Sequence, residues 1–227
     1  MSARTQILAA IRLGVGRKGG DGAEEAARAR LAGHARHLIP ARASGSRRAL
    51  VDRFVDMATA VDATVARVPD MAAVPKALAD YLAGENLPAR VVMAPDGSLD
   101  AAPWAEAAPM LEIRRGAPQD SDPVGVTSAA AGVAETGTLV MLSGPEHPST
   151  LNFMPETHVV VLPAERIVGA YEDAWDRVRA RADGGPLPRT VNHVTGPSRS
   201  GDIEQTMLLG AHGPRRLHVI LVGDGGA

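Results

Sequence analysis

The run His158–Leu162 (HVVVL) constrains the fold of this chain more than any other segment. The chain has no apolar stretch approaching the roughly 18 residues that a transmembrane helix needs. A short apolar strand without polar alternation is covered on both faces, which is typical of a parallel sheet between two layers. The run therefore predicts a buried strand at the centre of an α/β protein.

Apolar or β-branched segments alternate with segments of helical periodicity along the rest of the chain. Strands are predicted at 63–68, 90–93, 110–113, 124–127, 138–142, 158–162, 189–194 and 217–222, and helices at 47–59, 72–84, 170–181 and 202–209. This alternation favours an α/β sandwich with a mainly parallel sheet. The strands between 124 and 142, which no long helix separates, predict a departure from a plain doubly wound fold.

The first 45 residues differ from the rest of the chain. Two helices are predicted at 4–13 and 23–37, and Pro40 with the Ser-Gly-Ser stretch at 44–46 is typical of a linker. We therefore expect a helical or flexible extension over 1–45 and one domain over 46–227. Residues 1–50 carry a net charge of +7 on a chain whose net charge is −2. This basic arm is a candidate docking segment for a partner.

The composition excludes several classes of function. The chain has no cysteine, which rules out disulfides, a cysteine nucleophile, a thiolate zinc site and an iron–sulfur cluster held by this chain. Aromatic residues make up 3% of the sequence, so we expect no nucleic-acid partner. We also expect no metal site, no membrane span and a cytoplasmic location.

A glycine pattern near the N-terminus formally matches a dinucleotide-binding fingerprint. Gly14, Gly16 and Gly19 have the right spacing, but no acidic residue lies between Glu25 and Asp52. The fingerprint also needs a strand before it, and the preceding segment has helical periodicity. We interpret these glycines as a linker and expect no cofactor in this chain.

Glu135 is a lone carboxylate among small residues, directly before the strand predicted at 138–142. Small neighbours allow close approach of a ligand, and a carboxylate in an apolar cleft can act as a base or nucleophile. A carboxylate at a strand edge can equally bond a turn. Spacing alone leaves both interpretations open. Thr136 and Gly137, which follow Glu135, are candidate residues of the same site.

The segment 196–204 (GPSRSGDIE) follows a predicted strand and precedes a predicted helix. Such a junction binds anions, because free backbone N–H groups and the helix dipole favour negative charge. Ser198 and Arg199 would contact a carboxylate or phosphate, and Asp202 would cap the helix. The alternative is that Ser200 or Asp202 only caps the helix while Arg199 pairs with Glu204.

Four segments in this order resemble a known family. They are AETGT at 134–138, LNFMPETHVVV at 151–161, GPSRSGDIE at 196–204 and LGAHGPRRLHV at 209–219, and ILAAIR at 7–12 is similar too. The order and spacing resemble the LUD (lactate utilization) domain family, and within it the lactate utilization protein C group (LutC or YkgG).

This resemblance implies a three-layer α/β/α sandwich of the NagB/RpiA/CoA-transferase-like kind. It also implies a non-redox component of a three-protein system that oxidises L-lactate to pyruvate, with cysteine-rich and iron–sulfur proteins as partners. We expect Glu135, Thr136 and Gly137 to line the cleft and Ser198, Arg199, Asp202, His158 and His212 to complete it.

Two alternatives remain open at this point. In the first, the chain is a stand-alone enzyme resembling CoA transferases or sugar-phosphate isomerases, with Glu135 as the catalytic residue. In the second, it is a sensor of a small carboxylate. A small carboxylate or phosphate ligand and a homo-oligomer are compatible with each of these interpretations.

Overall fold

The computed structural model of the protein describes residues 2–14, 21–200 and 208–223. Its strands, in chain order, are β1 Thr64–Val68, β2 Arg90–Met93, β3 Glu112–Arg115, β4 Val124–Ser128, β5 Ala131–Val133, β6 Thr138–Leu142, β7 Thr157–Pro163, β8 Ile167–Val168, β9 Val191–Val194, β10 Arg199–Ser200, β11 Leu208–Leu209 and β12 Arg216–Val222. Its α-helices are α1 Ala3–Gly14, α2 Asp21–Gly33, α3 Arg47–Ala60, α4 Val74–Gly84, α5 Trp104–Ala107 and α6 Tyr171–Ala182.

Six strands form a wholly parallel sheet in the order β1-β12-β7-β4-β2-β3. The run predicted to be covered on both faces is β7, which lies inside this sheet. Its valines alternate between two separate clusters, Val159 and Val161 in one and Val160 with Leu162 in the other. The prediction of a doubly buried strand is confirmed.

The two faces of this sheet are covered differently. On one face, Val74, Leu78 and Leu82 of α4 pack against the sheet. On the other face, α3 inserts Val51 and Phe54 beside Leu139 of β6. Helices on both sides of the central sheet give the predicted three-layer α/β/α architecture.

A second sheet accounts for the predicted departure from a doubly wound fold. It has four strands in the order β8-β5-β6-β9. One face of β6 joins the core around α3, and Val140 and Leu142 on its other face pack against Ala174 and Val178 of α6. The strands β5 and β8 were not predicted, because three and two residues are too short to show a period.

Most predicted elements are confirmed, with shifted ends. The strand expected at 110–113 is Glu112–Arg115, and the helix expected at 72–84 starts with a 3-10 turn before α4. The side chain of Asp70 caps this turn by accepting a hydrogen bond from the backbone N–H of Ala73, at 3.1 Å. The helix expected at 202–209 is wrong at its end, because Leu208–Leu209 pairs as a strand with β10. Residues 202–207 lie outside the described part.

The chain divides into two compact units, Met1–Leu38 and Ile39–Ala227. The first contains α1 and α2, and the second contains both sheets. This division falls slightly before the predicted boundary after residue 45, which stays a prediction. No helix within the described ranges is long and apolar enough to cross a membrane.

Candidate functional site

A cavity of about 270 Å³ lies where the first residues of β7 and β12 meet the segment that follows β9. This position is the amino-terminal edge of the parallel sheet. Its lining comes from three parts of the sequence that are far apart: Asn152, Phe153 and His158; His193 to Arg199; and His212, Gly213, Pro214 and Leu217. Four of the predicted site residues are therefore brought together here: His158, Ser198, Arg199 and His212.

The cavity has a buried floor and an exposed rim. His158, Asn152 and Leu217 are buried, whereas His193, Arg199 and His212 are exposed. The charged and titratable groups that solvent reaches therefore lie at the rim. The floor offers uncharged surface and the ring of one histidine.

His158 is fully buried, and one of its two ring nitrogens is bonded. Its Nε2 lies 2.8 Å from the Oγ1 of Thr127 on the neighbouring strand β4. Its Nδ1 is buried with no hydrogen-bond partner among the described residues. Burial lowers the pKa of His158 from 6.5 to about 3, so the ring is neutral at pH 7.

Arg199 brings a cation to the rim of the cavity, where it forms an ion pair with Asp62. Its Nη2 lies 2.7 Å from the Oδ2 of Asp62, in the loop between α3 and β1. Glu204, the partner considered from the sequence, lies outside the described residues. Asp62 is exposed, so the ion pair is solvated and an incoming carboxylate can compete for the guanidinium.

Backbone hydrogen bonds hold Ser198 against the loop that carries His212. The N–H of Ser198 donates to the carbonyl of Pro214, and the N–H of Gly210 donates to the carbonyl of Ser198, both at 2.8 Å. These two bonds continue the pairing of β10 with β11 and close the side of the cavity. The sequence motifs around Ser198 and His212 thus form one wall.

Several cavity residues were missed by the sequence reasoning. His193 lies at the rim with its ring stacked on Tyr171, at 5.3 Å between centroids, and burial lowers its pKa. Thr127 acts behind the cavity by holding His158. Neither has a local signal: Thr127 comes near His158 through the pairing of β4 with β7, and His193 reaches the cavity from β9 of the second sheet. Asn152 and Phe153 belong to a segment that contributed to the family resemblance.

Glu135, Thr136 and Gly137 do not line this cavity. The Oε1 of Glu135 lies 2.8 Å from the Nη2 of Arg42, and its backbone N–H donates to the carbonyl of Gly169. Glu135 therefore holds the segment before α3 against the second sheet.

The two residues after Glu135 also have structural roles. The Oγ1 of Thr136 lies 2.9 Å from the hydroxyl of Tyr171, in a hydroxyl cluster that continues through Thr138 to Thr195 at the cavity rim. Gly137 has φ +66°, and a Cβ there would lie 2.3 Å from the backbone nitrogen of Ala58 in α3. A glycine is required for this close approach. Asp202, the last predicted site residue, lies outside the described part.

A separate polar cluster lies at the opposite, carboxyl-terminal edge of the sheet. Asp96, Glu146 and His147 are the one group in the described ranges whose ligand atoms lie close enough to share a metal ion, within 4.8 Å. Burial of Asp96 opposes its ionisation, but hydrogen bonds from Ser128 and Ser98 outweigh this effect and lower its pKa. The oxygens of Asp96 are thus already engaged by protein donors.

Comparisons with known proteins agree with this architecture. Lactate utilization protein C of Bacillus subtilis (strain 168) is 36% identical over 102 residues, which is 44% of this chain and 42% of that protein. Its counterpart in Bacillus licheniformis is 35% identical over 102 residues, with the same two shares. The chain thus matches less than half the length of these relatives.

A solved structure and a family model cover more of the chain. The crystal structure of a DUF162 family protein from Deinococcus radiodurans is 27% identical, covers 79% of this chain and 100% of its own, and superposes with a TM-score of 0.58. The LUD domain model matches residues 51–222, which include both sheets and every described cavity residue. This chain belongs to the LUD domain family.

Proposed function

We propose that this chain is a non-redox component of a multi-protein system that oxidises L-lactate to pyruvate. Membership of the LUD domain family and similarity to proteins named lactate utilization protein C support this role. In this proposal, iron–sulfur clusters in partner proteins take the electrons, and this chain, which has no cysteine, supplies no thiolate ligand for a cluster. A cytoplasmic location is part of this proposal.

The observation that carries the proposal is the cavity at the amino-terminal edge of the sheet. Most of its lining comes from the segments that resemble the family, and it combines a buried neutral histidine with an exposed arginine. These groups suit a small carboxylate, since Arg199 can meet the negative charge and the floor can accept the rest of the molecule. The chain would hold or present such a ligand to its redox partners.

The experiment is affinity purification of the tagged chain from its own cells grown on lactate, with mass spectrometry of the co-purifying proteins. We expect stoichiometric recovery of cysteine-rich iron–sulfur proteins, and lactate-dependent reduction of an artificial electron acceptor by the complex. Cells grown without lactate provide the control. Recovery of the chain alone, or a complex whose lactate oxidation is unchanged without this chain, would contradict the proposal.

A stand-alone enzyme that uses Glu135 has less support. The carboxylate of Glu135 is paired with Arg42 and lies outside the cavity lining, so a substrate in the cavity would not contact it. Turnover of acyl-CoA thioesters or sugar phosphates by the purified chain, abolished by Glu135→Gln, would reverse this preference.

A further inference from the structure

The floor of the cavity contains an unused hydrogen-bonding atom. His158 has no solvent exposure, and its Nδ1 has no partner among the residues described by the structure. A buried polar atom without a partner destabilises the fold, unless a ligand supplies the missing hydrogen bond. The position of His158 in the lining makes a ligand in this cavity the natural partner of that atom.

The kind of partner follows from the state of the ring. His158 is neutral and its Nε2 is engaged by Thr127, so Nδ1 either donates or accepts one hydrogen bond according to the tautomer. A hydroxyl group satisfies both tautomers, because it can donate and accept. A carboxylate is a poor partner here, because the floor has no described cation to offset its desolvation.

A charged group of a ligand is expected at the exposed rim of the cavity, away from His158. Arg199 lies at the exposed rim, where the exposed Asp62 is the one carboxylate paired with its guanidinium among the described residues. A carboxylate placed there gains a charge-assisted hydrogen bond while it stays partly hydrated. A volume of about 270 Å³ restricts the ligand to a small molecule.

We propose that this cavity binds a short hydroxy-monocarboxylate, with its carboxylate at Arg199 and its hydroxyl group bonded to the Nδ1 of His158. His158 is then the residue that determines specificity, because its neutral ring bonds a hydroxyl group and the described part of the floor offers no cation to a second carboxylate. Thr127 is a positioning residue that fixes the ring. The inference deepens the proposed function and depends on it for the choice of L-lactate as the probe.

The test measures binding of three probes to the full-length chain by calorimetry: L-lactate, propionate and L-malate. Propionate lacks the hydroxyl group, and L-malate adds a second carboxylate. We expect both to bind at least about tenfold more weakly than L-lactate, since a site built for a hydroxyl group discriminates strongly against its absence. Equal binding of propionate, tighter binding of L-malate, or no binding of L-lactate would overturn the inference, as would binding of inorganic phosphate in its place.

A matched pair of variants shows whether His158 is responsible. His218 is a second buried histidine, on the neighbouring strand β12, bonded to Thr64 and stacked on Tyr81 of α4 outside this cavity. We expect His158→Leu to remove the preference for L-lactate over propionate, and His218→Leu to keep it. The reverse pattern, or a preference that survives in both variants, contradicts the assignment.

A measurement on the unmodified chain keeps the inference testable if His158→Leu does not fold. In protein labelled with 15N-histidine, L-lactate should shift the Nδ1 resonance of His158, whereas propionate should leave it in place. An unchanged resonance at saturating L-lactate would refute the contact. Selective L-lactate binding without recovery of iron–sulfur partners would support this inference and contradict the proposed function. Recovery of the partners without selective L-lactate binding would support the proposed function and contradict this inference.

Discussion

His158 and His218 lie on neighbouring strands but on opposite faces of the central sheet. In the parallel register of β7 and β12, His158 pairs with Leu217, and His218 pairs with Val159. Each ring has one nitrogen bonded to a threonine hydroxyl and one nitrogen without a partner in the described part of the chain. Both rings are therefore buried and neutral, and they differ in what they can contact.

The two buried histidines predict a pH dependence of stability. Burial lowers their pKa values from 6.5 to about 3 for His158 and about 4 for His218. Below pH 6.5 these histidines become protonated in the unfolded chain but stay neutral in the folded chain. The free energy of unfolding is therefore highest above pH 6.5 and falls as the pH decreases. We expect a loss of about 1.4 kcal/mol per pH unit for each histidine between pH 6 and pH 5.

Urea denaturation at pH 7, 6 and 5 measures this slope. His158→Leu should reduce this slope by the share of one histidine, because His218 and the other histidines with lowered pKa values still titrate. Equal slopes for the variant and the unmodified chain would show that burial of His158 does not set its protonation.

Removal of the hydroxyl group of Thr127 should loosen the ring of His158. In Thr127→Val, the buried Nε2 loses its partner, at an expected loss of about 1–3 kcal/mol in the free energy of unfolding. Thr127→Ser keeps a hydroxyl group and should recover most of this loss. If Thr127→Val and Thr127→Ser unfold at the same urea concentration, the hydrogen bond is not the cause.

The ion pair between Arg42 and Glu135 should matter for stability and not for ligand binding. We expect Glu135→Gln to lower the free energy of unfolding by about 1 kcal/mol, because the carboxylate is largely buried while the guanidinium is exposed. Arg42→Gln and the double variant complete a mutant cycle that isolates the pair. Unchanged L-lactate affinity in Glu135→Gln is expected, and lost affinity would place Glu135 in the site after all.

Among the elements, long apolar strands were predictable and short strands were not. The strand β7 was predicted because six of its seven residues are buried, and four of these, at 159–162, form a continuous apolar run. In the second sheet, β6 and β9 were predicted, whereas β5 and β8 were missed because strands of three and two residues have no pattern of their own. The same cause applies at the site: Ser198, Arg199 and His212 stand in recognisable motifs, whereas Thr127 reaches His158 only through the pairing of β4 with β7.

The turn between β5 and β6 should tolerate no side chain at Gly137. A Cβ there would lie 2.3 Å from the backbone of α3, and the backbone has a positive φ. We expect Gly137→Ala to lower the free energy of unfolding by about 2 kcal/mol or more, from strain and from separation of the helix and the sheet. Gly84→Ala is the control, since a Cβ at Gly84 meets no atom within 4 Å. Similar denaturation midpoints for the two variants would contradict this packing.

At the scale of the whole molecule, the excess of positive charge and the candidate binding cavity lie in different parts of the chain. The cavity is built wholly from the unit Ile39–Ala227, whereas the excess of positive charge lies in residues 1–50 of a chain with net charge −2. The alternation of strands and helices in the sequence indicated the order of the layers. The cavity lies at one edge of the sheet that this alternation builds. A docking role for the basic arm stays a prediction, because the sequence of one chain does not identify a binding partner.

Deletion of residues 1–38 should separate ligand binding from assembly. We expect the shortened chain to keep its affinity for L-lactate and to recover fewer iron–sulfur partners in affinity purification, more so at high salt, because charged docking is screened. Full recovery of partners by the shortened chain would remove the arm from the assembly. Loss of L-lactate binding would show that the arm contributes to the cavity.

The pairing of β1 with β12 has a consequence for how the protein is made. Thr64 and His218 are 154 positions apart, yet their side chains are hydrogen-bonded across adjacent strands. During synthesis, β1 leaves the ribosome long before its partner exists, so the sheet cannot close until nearly the whole domain has emerged. Folding of this domain is therefore late and slow. Until β12 has been synthesised, the edges of the earlier strands are unpaired and can associate with other nascent chains.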